Sequence, residues 1–202
     1  ESNTVWVNAS STLTINPGSV IKFGSAAGII VEGTLLSEGT EELKIYLTSL
    51  KDDTVSGDTN GDGFASIPAL ADWIGIEFRS SSTGTISYTE INYAGAWAAS
   101  NPAAIVNSGG NLDLEHLDFS NSNVNDIYQS AGTAVISRSQ FSTSTSYAVS
   151  NTGSEVIDAR NNWWGAIDGP TLPGADGEGG SGDTVGAEIA TVPFLTAAPL
   201  AC

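Results

Sequence analysis

The sequence predicts an all-β fold in which the chain winds into a parallel β-solenoid of roughly seven coils. Three observations carry this. Apolar residues recur at fixed intervals in several columns, they alternate with polar residues as strands do, and turn-forming residues separate the runs. In the N-terminal part Leu13, Ile29 and Ile45 are spaced 16 and 16, and Ile15, Val31 and Leu47 repeat the step. Each pair is apolar–x–apolar, which is strand alternation and not a helical stripe. Pro17-Gly18, Gly33-Thr34 and Gly39-Thr40 lie between them as turn signals. The next matching pair, Ile76 and Phe78, follows Ile45 and Leu47 at a spacing of 31, one step of 16 plus an insertion of 15 placed in the polar stretch 51–71.

Beyond the insertion the period lengthens. Tyr93, Phe119, Phe141 and Trp163 are spaced 26, 22 and 22, and Ile86, Leu112, Ala134 and Val156 repeat those steps. Ile105, Ile127 and Val149 add a third column at 22 and 22. Strands that short, joined by polar turns, bury their apolar side chains inward and hydrogen-bond coil upon coil. Seven coils at ~4.8 Å make a rod on the order of 35 Å long. A β-sandwich has no reason to produce equal spacing in three columns. The stretch 165–188, rich in glycine and acids, reads as a long solvated excursion, and 189–202 as a segment covering the last coil, its prolines blocking further pairing. The whole of 1–202 is expected to be one domain.

Charge narrows the function classes. Six Lys and Arg stand against 23 Asp and Glu, a formal net charge of −17. Nucleic-acid binding and docking on anionic membranes need basic clusters, which this composition does not supply. The apolar runs are too short to span a bilayer as helices. With 40% hydrophobic residues the chain is no disordered acidic tail. The single cysteine is Cys202 and there is no methionine, so no internal disulfide is expected, and the opening Glu1-Ser2-Asn3 fits a processed chain or an excised fragment.

Several segments resemble a known family. Gly57-Asp58-Thr59-Asn60-Gly61-Asp62-Gly63, then Asp72-Trp73-Ile74-Gly75-Ile76, then Asn162-Trp163-Trp164-Gly165 with Gly169-Pro170, look like bacterial right-handed parallel β-helix proteins of the pectate-lyase-like superfamily. They are most similar to the non-catalytic repeats of large secreted and surface proteins. The resemblance spans about residues 5–170 and implies a right-handed coil and an extracellular or cell-surface setting. The architecture itself hosts lyases, hydrolases, adhesins and rods, so it assigns no activity.

The insertion carries the sharpest chemical signal. Asp58-x-Asn60-x-Asp62-Gly63 puts oxygen ligands on alternate residues of a tight loop, which suits a hard cation such as Ca²⁺ in a structural role. The position of the bidentate acid in an EF-hand loop is Ala69, so Asp53 and Asp72 are expected to complete the shell, with Asp52 as a further neighbour. Without a counter-ion these groups repel one another.

Trp163 is expected to continue the inward aromatic column and Trp164 to point outward. Trp97, Trp164 and His116 are candidate carbohydrate contacts. The period places Glu90, His116, Arg138 and Arg160 in one stacked column, with Asp113, Glu115 and Asp118 as outward neighbours of His116. A glycosidase would need such an acid pair, and a lyase a basic arginine with acid-bound calcium. A surface ion-pair ladder explains the column more simply, and no catalytic residue is assigned. A flat threonine ladder is not expected, because the period maps Thr85 to Asn111 and then Thr133. The favoured expectation is a non-enzymatic, calcium-stabilised structural or adhesive element. Its partners would be surface glycans or further copies of itself stacked head to tail. A polysaccharide-binding or polysaccharide-degrading β-helix is the alternative.

Overall fold

The computed structural model describes residues 4–96, 103–141, 144–173 and 179–199. Trp97, Cys202 and Glu1-Ser2-Asn3 lie outside the described residues. The described chain is all-β, with fifteen strands, and forms a parallel solenoid of about six turns. No helix among these residues is long and apolar enough to cross a membrane.

Each coil has three strand faces. The first stacks β1 (Val5–Val7), β4 (Gly28–Val31), β7 (Gly75–Phe78), the start of β9 (Ala103–Ser120), the start of β10 (Asn125–Ser137) and β11 (Tyr147–Asn151). The second stacks β2 (Thr12–Ile15), β5 (Thr34–Glu38), the start of β8 (Thr83–Asn92), the middle of β9, the end of β10, β12 (Ile157–Asp158) and β15 (Ile189–Ala190). The third stacks β3 (Val20–Phe23), β6 (Ile45–Ser49) and the ends of β8 and β9, and single bridges carry it through Gln140 to Trp163. Between β12 and β15 lie the short strands β13 (Pro170–Thr171) and β14 (Gly182–Thr184), paired with each other.

The apolar columns run up the inside of these faces. Ile29, Ile76, Ile105, Ile127 and Val149 are in register and buried, as the even spacing of the last three required. Aromatic rings fill the third face: Phe119 stacks on Phe141 at 5.4 Å, and Phe141 on Trp164 at 4.9 Å. Phe23 stacks on Trp73 at 4.2 Å, and the Trp73 indole donates to the Asn92 carbonyl at 2.7 Å. Burial of side chains this large contributes about 2–3 kcal/mol each, so the interior, not the polar rim, holds the coil.

The structure corrects the spacing at three points. The step of 16 joins residues of different faces: Leu13 pairs with Leu35, Ile29 with Ile76, and Ile45 with Thr89. The longer period of the later coils is therefore already present between the first two coils on the second face. The step from β8 to β9 is longer than the columns imply, since Ile86 pairs with Leu114 and not with Leu112. In the last full coil one extra residue enters, so Val135 pairs with Asp158 and not with Ile157. That single residue reverses two assignments: Trp164 is buried in the core while Trp163 is half-buried, and Ile157 is buried while Val156 is exposed.

Threonines do form a ladder, contrary to expectation. Thr12, Thr34, Thr83, Asn111 and Thr133 share one register position on the second face. Thr34 and Thr83 hydroxyls are 2.9 Å apart, and Thr133 donates to Asn111 at 2.9 Å, so the ladder ties coil to coil. Asp113 and Val135 occupy the neighbouring outward column, which breaks any uniform hydroxyl plane.

Corners are made in two ways. Between the first and second faces the Asn107 carboxamide accepts from the Gly109 and Gly110 amides and donates to Gln129 Oε1 at 2.9 Å. Gly132, at φ +85°, packs against this corner, and a Cβ there would lie 2.1 Å from the Gly110 carbonyl oxygen. Gly132→Ala is expected to cost more than about 2 kcal/mol, read as a lowered midpoint in urea unfolding, because backbone strain and a backbone clash add. Between the second and third faces a single left-handed residue turns the chain: Tyr88, His116, Arg138 and Asn161 have φ of 45°, 51°, 51° and 61°. Strands β8, β9 and β10 each run through a corner rather than stopping at it.

Candidate functional site

The insertion between β6 and β7 is pinned to the coil before it presents its acids. Lys22 on β3 donates its ammonium to the carbonyls of Asp52 and Gly57, at 2.7 and 2.6 Å. Asp52 is buried and accepts from Thr48 Oγ1 at 2.6 Å and from the Thr54 hydroxyl and amide. It is a structural bracket and not a ligand facing the loop. Asp72, expected in the metal shell, is held elsewhere: it accepts from Lys51 at 2.7 Å, from Ser49 at 2.8 Å and from the Ala69 amide.

Asp53, Asp58 and Asp62 do converge, with one carboxylate oxygen from each within 4.8 Å of the others. Asp58 accepts from the Gly61 and Gly63 amides at 2.7 and 2.8 Å, and these backbone donors hold its carboxyl below the usual range. Asn60 bridges the group by donating to Asp62 and Ser66, at 3.1 Å each. The Asp53 Oδ1 atom is buried without a hydrogen-bond partner. A desolvated anionic oxygen with no donor is costly, and a cation would satisfy it. Three converging carboxylates are hard oxygen donors, the kind calcium takes. The residues present therefore fit the ion.

The His116 column differs from expectation. Glu90 is not in it: Glu90 pairs in register with Asp118 and accepts from Lys44 at 2.9 Å. Tyr88 takes that place, its ring stacked on His116 at 4.2 Å. Arg138 follows and pairs with Glu115, while Arg160 turns to Asp158 at 2.6 Å and leaves the corner to Asn161. Burial holds the His116 imidazole below its usual pKa, with Glu41 opposing. A groove of about 580 Å³ runs past His116, Ser137, Arg138, Asn161, Leu195 and Pro199. Trp164 is wholly buried and offers no ring face to a ligand, which removes it as a carbohydrate contact.

Two carboxyl groups stand in unusual environments: Asp118, already noted as an outward neighbour of His116, and Asp126, which spacing did not single out. Asp118 is pushed up to about 6, by burial first and then by Glu90, with Lys44 opposing. Asp126 on β10 is buried beneath the segment that starts at Ser144. The burial of Asp126 comes from a segment that crosses the coil from outside, which a one-coil pattern does not reveal. Comparisons with protein-family models, curated proteins and solved structures found no match to this chain.

Proposed function

We propose that this chain is a non-enzymatic, extracellular structural or adhesive β-helix of a cell surface, stabilised by calcium on the insertion between β6 and β7. The finer family reading, a right-handed coil of the pectate-lyase-like superfamily, belongs to the same proposal and rests on the Asp58–Gly63, Asp72–Ile76 and Asn162–Gly165 motifs. The observation that carries the calcium reading is the meeting of Asp53, Asp58 and Asp62, together with a buried Asp53 oxygen that lacks a donor. Calcium would hold the insertion in one conformation and lower the net charge of −17. At about 100 times its dissociation constant it would add about 3 kcal/mol. Thermal melting is expected to shift upward with calcium and back with chelator, and Asp58→Asn should remove the shift. A melting temperature indifferent to both would end the calcium reading.

End-to-end stacking is the second part. Among the described residues β1, β2 and β3 each pair on one side only. Open parallel edges are templates for a further coil, and a second copy would supply one. Electron microscopy with light scattering, with and without calcium, tests this. Fibres with an axial repeat near one rod length, lost on chelation, would support it, and a monodisperse 20.7 kDa species in both conditions would refute it. The alternative, a polysaccharide-binding or polysaccharide-degrading β-helix, draws on the His116–Arg138 groove and is tested by glycan binding with Arg138→Ala.

A further inference from the structure

Asp126 follows Asn125 at the start of β10, and strand alternation points it away from the Ile105–Ile127–Val149 column. It is nevertheless buried, because Ser144 and β14 lie over it. The Ser144 hydroxyl oxygen sits 2.6 Å from Asp126 Oδ2 and 2.8 Å from Asp183 Oδ2. Asp183 Oδ2 also accepts from the Ser144 amide at 3.0 Å. A hydroxyl has one hydrogen and here faces two carboxyl oxygens at hydrogen-bond distance. Both contacts are hydrogen bonds only if one carboxyl group carries a proton of its own. Asp183 already receives an N–H and is only half-buried, whereas Asp126 is wholly desolvated, so the proton belongs on Asp126, which donates to Ser144, which donates to Asp183.

We propose that Asp126, Ser144 and Asp183 form a proton-operated clamp that holds the Ser144 segment and β14 against the first face. A polar pocket of about 350 Å³ beside the clamp, open to solvent, is lined by Ser144, Ser146, Trp164, Ser181, Asp183 and Thr184, among others. When the Asp126 proton passes to water, one hydroxyl hydrogen must serve two carboxylates in a desolvated setting. The covering segments then separate from the face. The charged groups acting on Asp126 are both acidic: Asp183 on β14 and Asp118 on β9. Burial pushes the Asp126 carboxyl up to about 7, the Ser144 and Ser122 hydroxyls partly offset this, and those two acids add to the rise. The device would thus work close to neutral pH.

The test is amide hydrogen exchange on the full chain at constant calcium, corrected for intrinsic rates, together with ¹³C titration of the aspartate carboxyls. From pH 5.5 to 8.5, protection around 144–146 and 182–186 is expected to fall at least ~10-fold relative to the centre of β9. Asp126→Asn, whose amide replaces the acid as a permanent donor, should keep its protection at both pH values. In Asp183→Asn the hydroxyl hydrogen is free to serve Asp126, so the Asp126 midpoint should fall by about one pH unit or more. An Asp126 carbon that titrates below pH 5, a midpoint unmoved in Asp183→Asn, or a wild-type pH response persisting in Asp126→Asn would each overturn the clamp. If Asp126→Asn does not fold, the titration decides by itself.

Discussion

Trp164→Ala is expected to destabilise the chain by about 3–5 kcal/mol, while Trp163→Ala, at the adjacent position, should cost about 1 kcal/mol or less. Trp164 ends the Phe119–Phe141–Trp164 stack and is wholly buried, so truncation leaves a cavity bounded by Phe141 that neighbouring coils can close only by moving backbone. Its loss also exposes the interior end of the column, which the segment around Phe194 and Leu195 helps cover. Trp163 is half-buried on the outer side, where water replaces the lost contacts. Urea unfolding of the two variants side by side measures the difference. Equal costs, or a larger cost for Trp163, would show that the last coil has the register the even sequence spacing suggests and not the one described here.

The second large effect is on pH. A carboxyl group whose pKa is raised on folding binds its proton more tightly in the native chain than in the unfolded one. Stability is therefore fully present below the unfolded value near 3.8 and declines as pH rises toward the folded value, which for Asp126 is about 7. Across that window Asp126 withdraws up to about 4 kcal/mol, an upper limit because local opening relieves part of it. Asp118, pushed to about 6, acts in the same direction. The unfolding free energy is expected to be higher at pH 5 than at pH 8, the reverse of a protein held by salt-bridged aspartates. Asp126→Asn should flatten most of that slope. A wild-type chain whose stability rises from pH 5 to pH 8 would contradict the assignment. Asp58, Asp72 and Asp158, all lowered, work the other way, but their loss falls at lower pH, below the ordinary aspartate value.

Much of the solenoid was legible because its period is a property of the interior. Ile105, Ile127 and Val149 must be apolar wherever the chain passes that point of the coil, and their constant spacing therefore survives in the sequence. The insertion was equally plain, since a run of aspartates and glycines cannot be packed inside. The corners were not legible. Tyr88, His116 and Arg138 take a left-handed backbone that residue type does not announce, and the energy to hold them there comes from strand pairing on both sides. The same blindness moved Trp164 inward and Glu90 out of the His116 column, because a small addition at a turn changes a register without changing the composition.

The sequence by itself thus determined the architecture, the acidity and the Asp58–Asn60–Asp62 loop, all of which follow from local pattern and charge count. Tertiary structure alone decided which of the flanking acids belong to that loop, taking Asp53 in and tying Asp72 to Lys51. It also decided that Asp126 and Asp183, distant in the chain, share one serine hydroxyl. The physical reason is the same in both cases. A carboxylate's partners are set by which coil or crossing segment comes to rest beside it, and that is fixed by the packing of the interior, not by the residues that flank it in the chain.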